Sequence, residues 1–166
     1  GNAVRMGYLS DASITVGGSS ASTISSGVML VNEANGTPQR TVTFDVADVT
    51  SNASTDLLVS GVIGDHPDPY GAATLSKTGA GTMELTGTNT YTGTTTISAG
   101  TLKAGSDSAF TGNGQLTTSG GTFDLGGFNA GFTQTNSGAG TITNSVAGVK
   151  TLDIGIVSGT LANLIT

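Results

Sequence analysis

The histidine of this chain lies in a short acidic segment that contains the residue types of a metal or sugar site. His66 is the only histidine, and Asp65 and Asp68 lie within two positions of it. Carboxylate and imidazole groups could together ligate a divalent ion or form hydrogen bonds to a sugar. The segment is also rich in proline and glycine, which are the residues that a surface turn requires. We therefore interpret residues 64–71 as a turn, with the ion or sugar site as the alternative.

Two further acidic patterns resemble metal sites only in part. Asp45 and Asp48 are three residues apart. Side chains alternate between the two faces of a strand, so we expect these carboxylates to point to opposite sides and not to share an ion. Residues 120–124 contain part of a calcium-binding nonapeptide but lack its third glycine and a tandem copy. Neither pattern predicts a metal site.

The three tyrosines are candidates for a carbohydrate platform. Tyr8, Tyr70 and Tyr91 could stack against sugars if they lay together on the outside. Tyr91, however, lies at the same parity as the apolar residues Leu75, Leu85 and Ile97, which indicates a packing role.

Composition excludes several classes of function. The net charge is -6, and charged residues make up 10% of the chain, against about 25% in an average globular domain. There are 11 acidic residues and only five scattered cations, too few to bind a phosphate backbone or an anionic membrane surface. The cations are Arg5, Arg40, Lys77, Lys103 and Lys150. The chain contains no cysteine, which excludes thiolate metal sites, cysteine catalysis and disulfides. We assign no catalytic residue, cofactor or metal ligand.

A repeat of about twenty residues organises the chain. The repeated unit is the tripeptide Gly-Thr-apolar, and its copies begin at Gly81, Gly100, Gly121, Gly140 and Gly159. Around each copy, apolar and polar residues alternate with the period of a half-buried strand. Stacking successive repeats would align one interior column: Val4, Ile24, Phe44, Ile63, Met83, Leu102, Phe123, Ile142 and Leu161. It would also align an outer ladder of Thr82, Thr101, Thr122, Thr141 and Thr160.

These patterns predict an all-β fold, a single-stranded right-handed parallel β-helix of about eight rungs with a period of about twenty residues. One domain is expected over residues 1–166, with the clearest repeat at 75–102. The same register places Glu84, Lys103 and Asp124 on adjacent rungs as a ladder of alternating charge. The alternative fold is an antiparallel β-sandwich, which also has short strands and glycine-rich turns.

The stretch from Leu75 to Leu102, LSKTGAGTMELTGTNTYTGTTTISAGTL, resembles the autotransporter-associated β-strand repeat of bacterial surface-protein passenger domains. Met83 stands where the repeat usually has leucine. The positions that match are Leu75, Lys77, Gly79, Gly81, Leu85, Gly87, Asn89, Tyr91, Gly93, Thr95, Ile97, Gly100 and Leu102. The resemblance implies an extracellular right-handed β-helix that serves as a stalk, adhesin or surface filament, and it brings no catalytic motif.

We expect a non-catalytic structural protein of the bacterial cell surface or exterior, exported with removal of a signal before Gly1. The main hypothesis is a rod-like subunit of a bacterial surface fibre or matrix filament, which assembles head to tail with further copies of itself. The expected polymer interface is formed by Val4, Met6, Tyr8, Leu161, Leu164 and Ile165. The alternative is a stalk or adhesin fragment of an autotransporter passenger that contacts surface glycans. A polysaccharide-acting enzyme is the third hypothesis, and neither nucleic-acid binding nor membrane insertion is expected.

Overall fold

The computed structural model describes residues 4–6, 11–30, 40–67 and 72–158, with the backbone alone for residues 4–6, 136–137 and 156–158. All regular structure in these residues is β-strand. The strands are β1 (Val4–Met6), β2 (Ala12–Val16), β3 (Ser22–Ile24), β4 (Val28–Leu30), β5 (Thr41–Val46), β6 (Leu57–Val59), β7 (Ile63–Asp65), β8 (Thr74–Thr78), β9 (Thr82–Leu85), β10 (Thr95–Ile97), β11 (Thr101–Ala104), β12 (Thr111–Thr118), β13 (Thr122–Asp124), β14 (Ala130–Ser137), β15 (Thr141–Thr143) and β16 (Leu152–Ser158).

The strands form three parallel sheets, and consecutive strands enter different sheets. Sheet A has the order β1-β4-β7, sheet B the order β16-β14-β12-β10-β8-β5-β2, and sheet C the order β15-β13-β11-β9-β6-β3. Sheets B and C therefore collect one strand from each described turn of the chain, and sheet A collects one from each of the first three turns. This arrangement confirms the predicted parallel β-helix and contradicts the antiparallel sandwich. The described residues contribute seven strands to the longest sheet, against about eight predicted rungs.

Alternation along each strand builds the core. In β8 the side chains of Leu75 and Lys77 are buried, while those of Thr74, Ser76 and Thr78 are half-buried on the outer face. The side chains of Met83, Leu102, Phe123 and Ile142 stack on the inner face of sheet C, within the coil. Three aromatic rings, those of Phe110, Phe123 and Phe132, close the interior with centroid distances of 5.1–5.3 Å. The coil is thus a filled apolar column.

The predicted interior column is correct from Met83 to Ile142 and wrong before it. Phe44 lies in sheet B, where its partners are Ile14 and Lys77. Ile63 lies in sheet A beside Val28, which also pairs with Val4. Ile24 lies in sheet C but pairs with Val59. The residue of β3 in register with Leu57 and Met83 is Ser22, two positions before Ile24. Leu161 is outside the described residues.

Long turns explain this error. In sheet C, the pairing of Met83 with Leu102 follows the sequence period. The step from Leu57 to its partner Met83 is longer, and the step from Ser22 to its partner Leu57 is longer still. The step from Ser22 to Leu57 contains the segments between β4 and β5 and between β5 and β6, and the step from Leu57 to Met83 contains the segment between β7 and β8. A fixed step of about twenty residues therefore selects positions in different sheets.

The threonine ladder is confirmed in register over four rungs. Thr82, Thr101, Thr122 and Thr141 are successive partners in sheet C. Thr82 keeps its predicted place on the outer face, where it lines one pocket with Thr101 and Thr122, but it is buried. The residues before β6 cover it, since the Thr82 amide donates to the Asp56 carboxylate over 2.7 Å. Thr160 lies outside the described residues.

Candidate functional site

The segment around His66 does not assemble the ion or sugar site among the described residues. Asp65 ends β7, and its Oδ2 accepts hydrogen bonds from the Thr92 amide (2.8 Å) and hydroxyl (2.7 Å). The His66 amide donates to the Leu30 carbonyl over 2.9 Å. Asp68 lies outside the part that the structure describes. Asp65 therefore joins two rungs of the coil.

Asp45 and Asp48 lie in different surroundings. Asp45 is on β5, is exposed, and accepts a hydrogen bond of 3.1 Å from the Thr78 hydroxyl. Asp48 is exposed and follows the end of β5, so the prediction that both belong to one strand is wrong. No group of three or more His, Cys, Asp or Glu side chains within residues 11–30, 40–67 and 72–158 is arranged to hold a metal ion.

The predicted charge ladder is in register, but its carboxylates have other partners. Lys103 pairs with Glu84 on one side and with Asp124 on the other. Glu84 accepts a hydrogen bond from the Thr55 hydroxyl. Asp124 is only 5% exposed, and its carboxylate accepts hydrogen bonds from the Gly126 amide and from the Ser145 amide and hydroxyl, at 2.6–2.9 Å. Asp124 thus joins two turns of the coil.

Asp56 is a buried acid that the sequence analysis did not identify. Its Oδ1 accepts hydrogen bonds of 2.9 Å from the Val49 amide and from the Thr50 amide and hydroxyl. Its Oδ2 accepts the Thr82 amide. Burial opposes ionisation, but these donors outweigh it and lower the pKa of Asp56 below 3.8. The carboxylate organises the long turn between β5 and β6. No periodic pattern could have identified it, because it lies outside the repeat.

Lys77 is a fully buried cation on β8. Its Nζ donates hydrogen bonds to the carbonyls of Thr78 (2.7 Å), Gly79 (2.9 Å) and Ala99 (3.3 Å). Burial lowers the pKa of Lys77 to about 8, although the Asp45 and Asp56 carboxylates act in the opposite direction. The position of Lys77 at the interior parity, two residues after Leu75, is a signal from which its burial could have been predicted.

Two buried asparagines join successive rungs of the coil through side-chain hydrogen bonds to backbone groups. The buried Asn89 accepts the Ile63 amide over 2.8 Å and donates to the Ala109 carbonyl over 3.0 Å, so it joins three rungs. Asn113, also buried, donates to the Tyr91 carbonyl over 3.0 Å. These amides add to backbone hydrogen bonds between the same rungs, such as the one from the Thr90 amide to the Ile63 carbonyl (2.8 Å).

Tyr91 has the packing role that its parity predicts. Its side chain is 1% exposed, and its hydroxyl lies 2.7 Å from the Thr95 hydroxyl. Burial raises the pKa of Tyr91 well above its usual value of 10.0. A buried ring cannot stack against a sugar at the surface. Tyr8 and Tyr70 lie outside the described residues.

The predicted polymer interface is largely outside the described residues, which do not include Tyr8, Leu161, Leu164 or Ile165. Val4 and Met6 lie on β1, which pairs with β4 at one side of sheet A. The head-to-tail contact remains a prediction. In the described part of the chain, no helix is long and apolar enough to cross a membrane.

Comparison with known proteins gives two matches. The passenger-associated-transport-repeat family matches residues 75–104. The adhesin BmaC autotransporter of Brucella suis biovar 1 (strain 1330) is 37% identical over 107 residues, which is 63% of this chain and 3% of the adhesin. The chain thus spans a small fraction of that relative's length. No solved structure is significantly similar to the chain. The family match, together with the parallel pairing of β8 with β10 and of β9 with β11, shows that residues 75–104 form a passenger-associated transport repeat.

Proposed function

We propose that this chain is a non-catalytic stalk segment of an exported autotransporter adhesin at the bacterial cell surface. The proposal rests on one observation: buried polar side chains form hydrogen bonds with the backbone of the coil. Asp56, Lys77 and Asn89 are all buried, and each binds backbone groups from other parts of the coil. These residues hold rungs together and present no reactive group to a substrate.

The similarity to the Brucella adhesin supports a stalk or adhesin segment over a complete fibre subunit. Parallel strands lie about 4.8 Å apart, so each rung of about twenty residues extends the molecule by about that distance. A stacked coil adds length while it contacts only its neighbouring rungs. Such a segment keeps a binding region at a fixed distance from the cell.

Binding of the purified chain to cells separates a stalk from a receptor-binding segment. Fluorescently labelled chain should show no saturable binding to epithelial cells or to an array of surface glycans. The same chain fused to a known adhesive domain is the positive control and should bind through that domain. Saturable binding of the unfused chain, displaced by an unlabelled excess, would assign receptor contact to this segment and contradict the stalk proposal.

A further inference from the structure

The long turn between β5 and β6 contains an asparagine in the sequence context that asparagine-linked glycosylation requires. Asn52-Ala53-Ser54 fits the acceptor pattern Asn-x-Ser/Thr, in which x is not proline. Residues 51–54 are exposed and lie between strands. The pattern occurs once more in the sequence, at Asn35, which is outside the described residues. Within the part of the chain that the structure describes, Asn52 is therefore the one acceptor.

The hydrogen bonds of Asn52 are compatible with an attached sugar. Its Nδ2 donates to the Thr50 carbonyl over 2.9 Å, and its Oδ1 accepts the Ser54 amide over 2.7 Å. A side-chain amide has two N–H groups, and glycosylation replaces only one of them. The modified side chain can therefore keep both hydrogen bonds, so the turn receives a sugar without rearrangement.

The same turn borders a polar groove on the outer face of sheet C. Ala53 lines this groove together with Thr101, Lys103 and Thr122, among others, and its volume is about 230 Å³. Hydroxyl and ammonium groups can form hydrogen bonds with sugar hydroxyls. The volume is below the about 300–1,000 Å³ of pockets that hold free ligands. The groove is therefore suited to a single sugar unit that is already attached beside it.

The charges around the groove favour a neutral sugar over an acidic one. Lys103 pairs in register with Glu84 on one side and with Asp124 on the other, so one cation lies between two carboxylates. An acidic sugar would be repelled by the net negative charge of this group. In the described part of the chain, the Lys103 ammonium group has no hydrogen-bond or ion-pair partner. Its N–H donors are therefore available to the oxygen atoms of an uncharged hexose.

We propose that Asn52 is a glycosylation site and that its first sugar, a neutral hexose, lies against Lys103 in the groove on sheet C. In the transfer, Asn52 Nδ2 bonds to the anomeric carbon of a nucleotide-activated hexose and gives one proton to the transferase. The bond from that carbon to the diphosphate breaks, and the nucleoside diphosphate leaves with the electron pair. Attachment gives the sugar an effective concentration in the millimolar range, so few contacts suffice. The proposal is independent of the stalk function.

Enzymatic transfer to the folded chain tests the acceptor. The chain with Asn35→Gln is incubated with a soluble asparagine N-glycosyltransferase and UDP-glucose, and peptide mapping by mass spectrometry locates the hexose. We expect one hexose on Asn52, lost in Ser54→Ala. Asn129 is the internal control and should stay unmodified, because it is exposed and followed by alanine but has glycine at the third position. An unmodified Asn52 when an unrelated acceptor peptide is glycosylated, or equal modification of Asn129, would overturn the site.

Nuclear magnetic resonance of the glycosylated and unglycosylated chains tests the groove contact. The backbone amide signals of Thr101, Lys103 and Thr122 should shift by more than a linewidth when Asn52 carries the hexose. Thr96 on sheet B is the control, and its signal should stay in place. Lys103→Met should keep the hexose on Asn52 but reduce the shifts at Thr101 and Thr122. Unchanged sheet C signals in the glycosylated chain would place the sugar in solvent and overturn the groove contact.

Discussion

Lys77 and Asp56 are buried groups of opposite charge, and each forms hydrogen bonds with backbone groups from more than one rung. Alternation predicts an apolar residue at the interior position of Lys77 and an exposed polar residue at the position of Asp56, so it predicts neither buried charge. The repeat identifies Lys77 as an interior position but not the carbonyls that receive its ammonium group. The hydrogen bonds of Asp56 come largely from the turn between β5 and β6, which is not part of the repeat. Both are therefore tertiary features that the sequence pattern does not contain.

Lys77→Met should change the pH dependence of stability. Burial lowers the pKa of Lys77 to about 8 in the folded chain, against 10.5 for a free lysine. Between these values the unfolded chain binds more protons, so the free energy of unfolding rises with pH. Below about pH 8 the cost of burying the charged ammonium group is fully present. Denaturant unfolding from pH 7 to 10 should show this rise in the parent chain and not in the variant.

The half-buried Lys103 provides the control for this pH experiment. Lys103→Met should keep the rise in stability with pH, because it leaves Lys77 in place. Parallel pH profiles for the parent chain and Lys77→Met would contradict the prediction.

Asp56→Asn should destabilise the chain by about 3 kcal/mol, because the amide loses the charge that four donors bind and turns its own N–H groups toward some of them. The loss is measured by urea unfolding at neutral pH. Asp48→Asn is the matched control, since Asp48 is exposed, and it should change stability by less than about 0.5 kcal/mol. Equal effects of the two changes would show that the turn does not depend on Asp56.

At the scale of the strand, stacking along sheet C follows from the sequence, whereas the pairing of the early strands does not. The regular period of the repeat places Met83, Leu102 and Phe123 in one column. The early strands are joined by turns of unequal length, and an alternating pattern holds no information about turn length. Only the three-dimensional register shows that Leu57, rather than Ile63, lies beneath Met83.

Phe123→Ala should cost about 3–5 kcal/mol, because it opens a cavity within the column. The ring of Phe123 is fully buried and lies edge to face with the rings of Phe110 and Phe132. Phe128→Ala is the control, because Phe128 is only partly buried against the core. Thermal unfolding should therefore show a much larger fall in midpoint for Phe123→Ala than for Phe128→Ala. A smaller loss for Phe123→Ala would contradict its place in the core.

Gly100→Ala should destabilise the chain, because it prevents the close approach of two successive turns at Gly100 and at residues 79–81. Gly100 has a φ of +62°, and an added Cβ would lie 2.5 Å from the carbonyl oxygens of Gly79 and Gly81. Both the strained conformation and the contact oppose the change. Gly17→Ala is the control, since no atom lies within 4 Å of its added Cβ. The variant Gly100→Ala should unfold at a lower urea concentration than Gly17→Ala. The opposite order would contradict the close approach of the two turns at Gly100.

At the scale of the whole molecule, length depends on the number of stacked rungs. One column of sheet B runs through Ser13, Thr43, Ser76, Thr96, Thr117 and Asn136 as successive partners. The residues between Thr94 and Leu116 supply one complete rung, because Thr95 and Leu116 are partners. Deleting residues 95–115 should therefore join two equivalent positions and shorten the coil by one strand spacing.

The most direct test of the stacked coil is the distance between spin labels on Ser13→Cys and Asn136→Cys, measured by pulsed electron paramagnetic resonance. Five strand spacings of about 4.8 Å predict a backbone separation of about 24 Å. Deletion of residues 95–115 should reduce the distance by about 5 Å while the distribution stays narrow. A distance that is unchanged by the deletion, or a broad distribution in the full chain, would contradict the stacked coil on which the proposed stalk function rests.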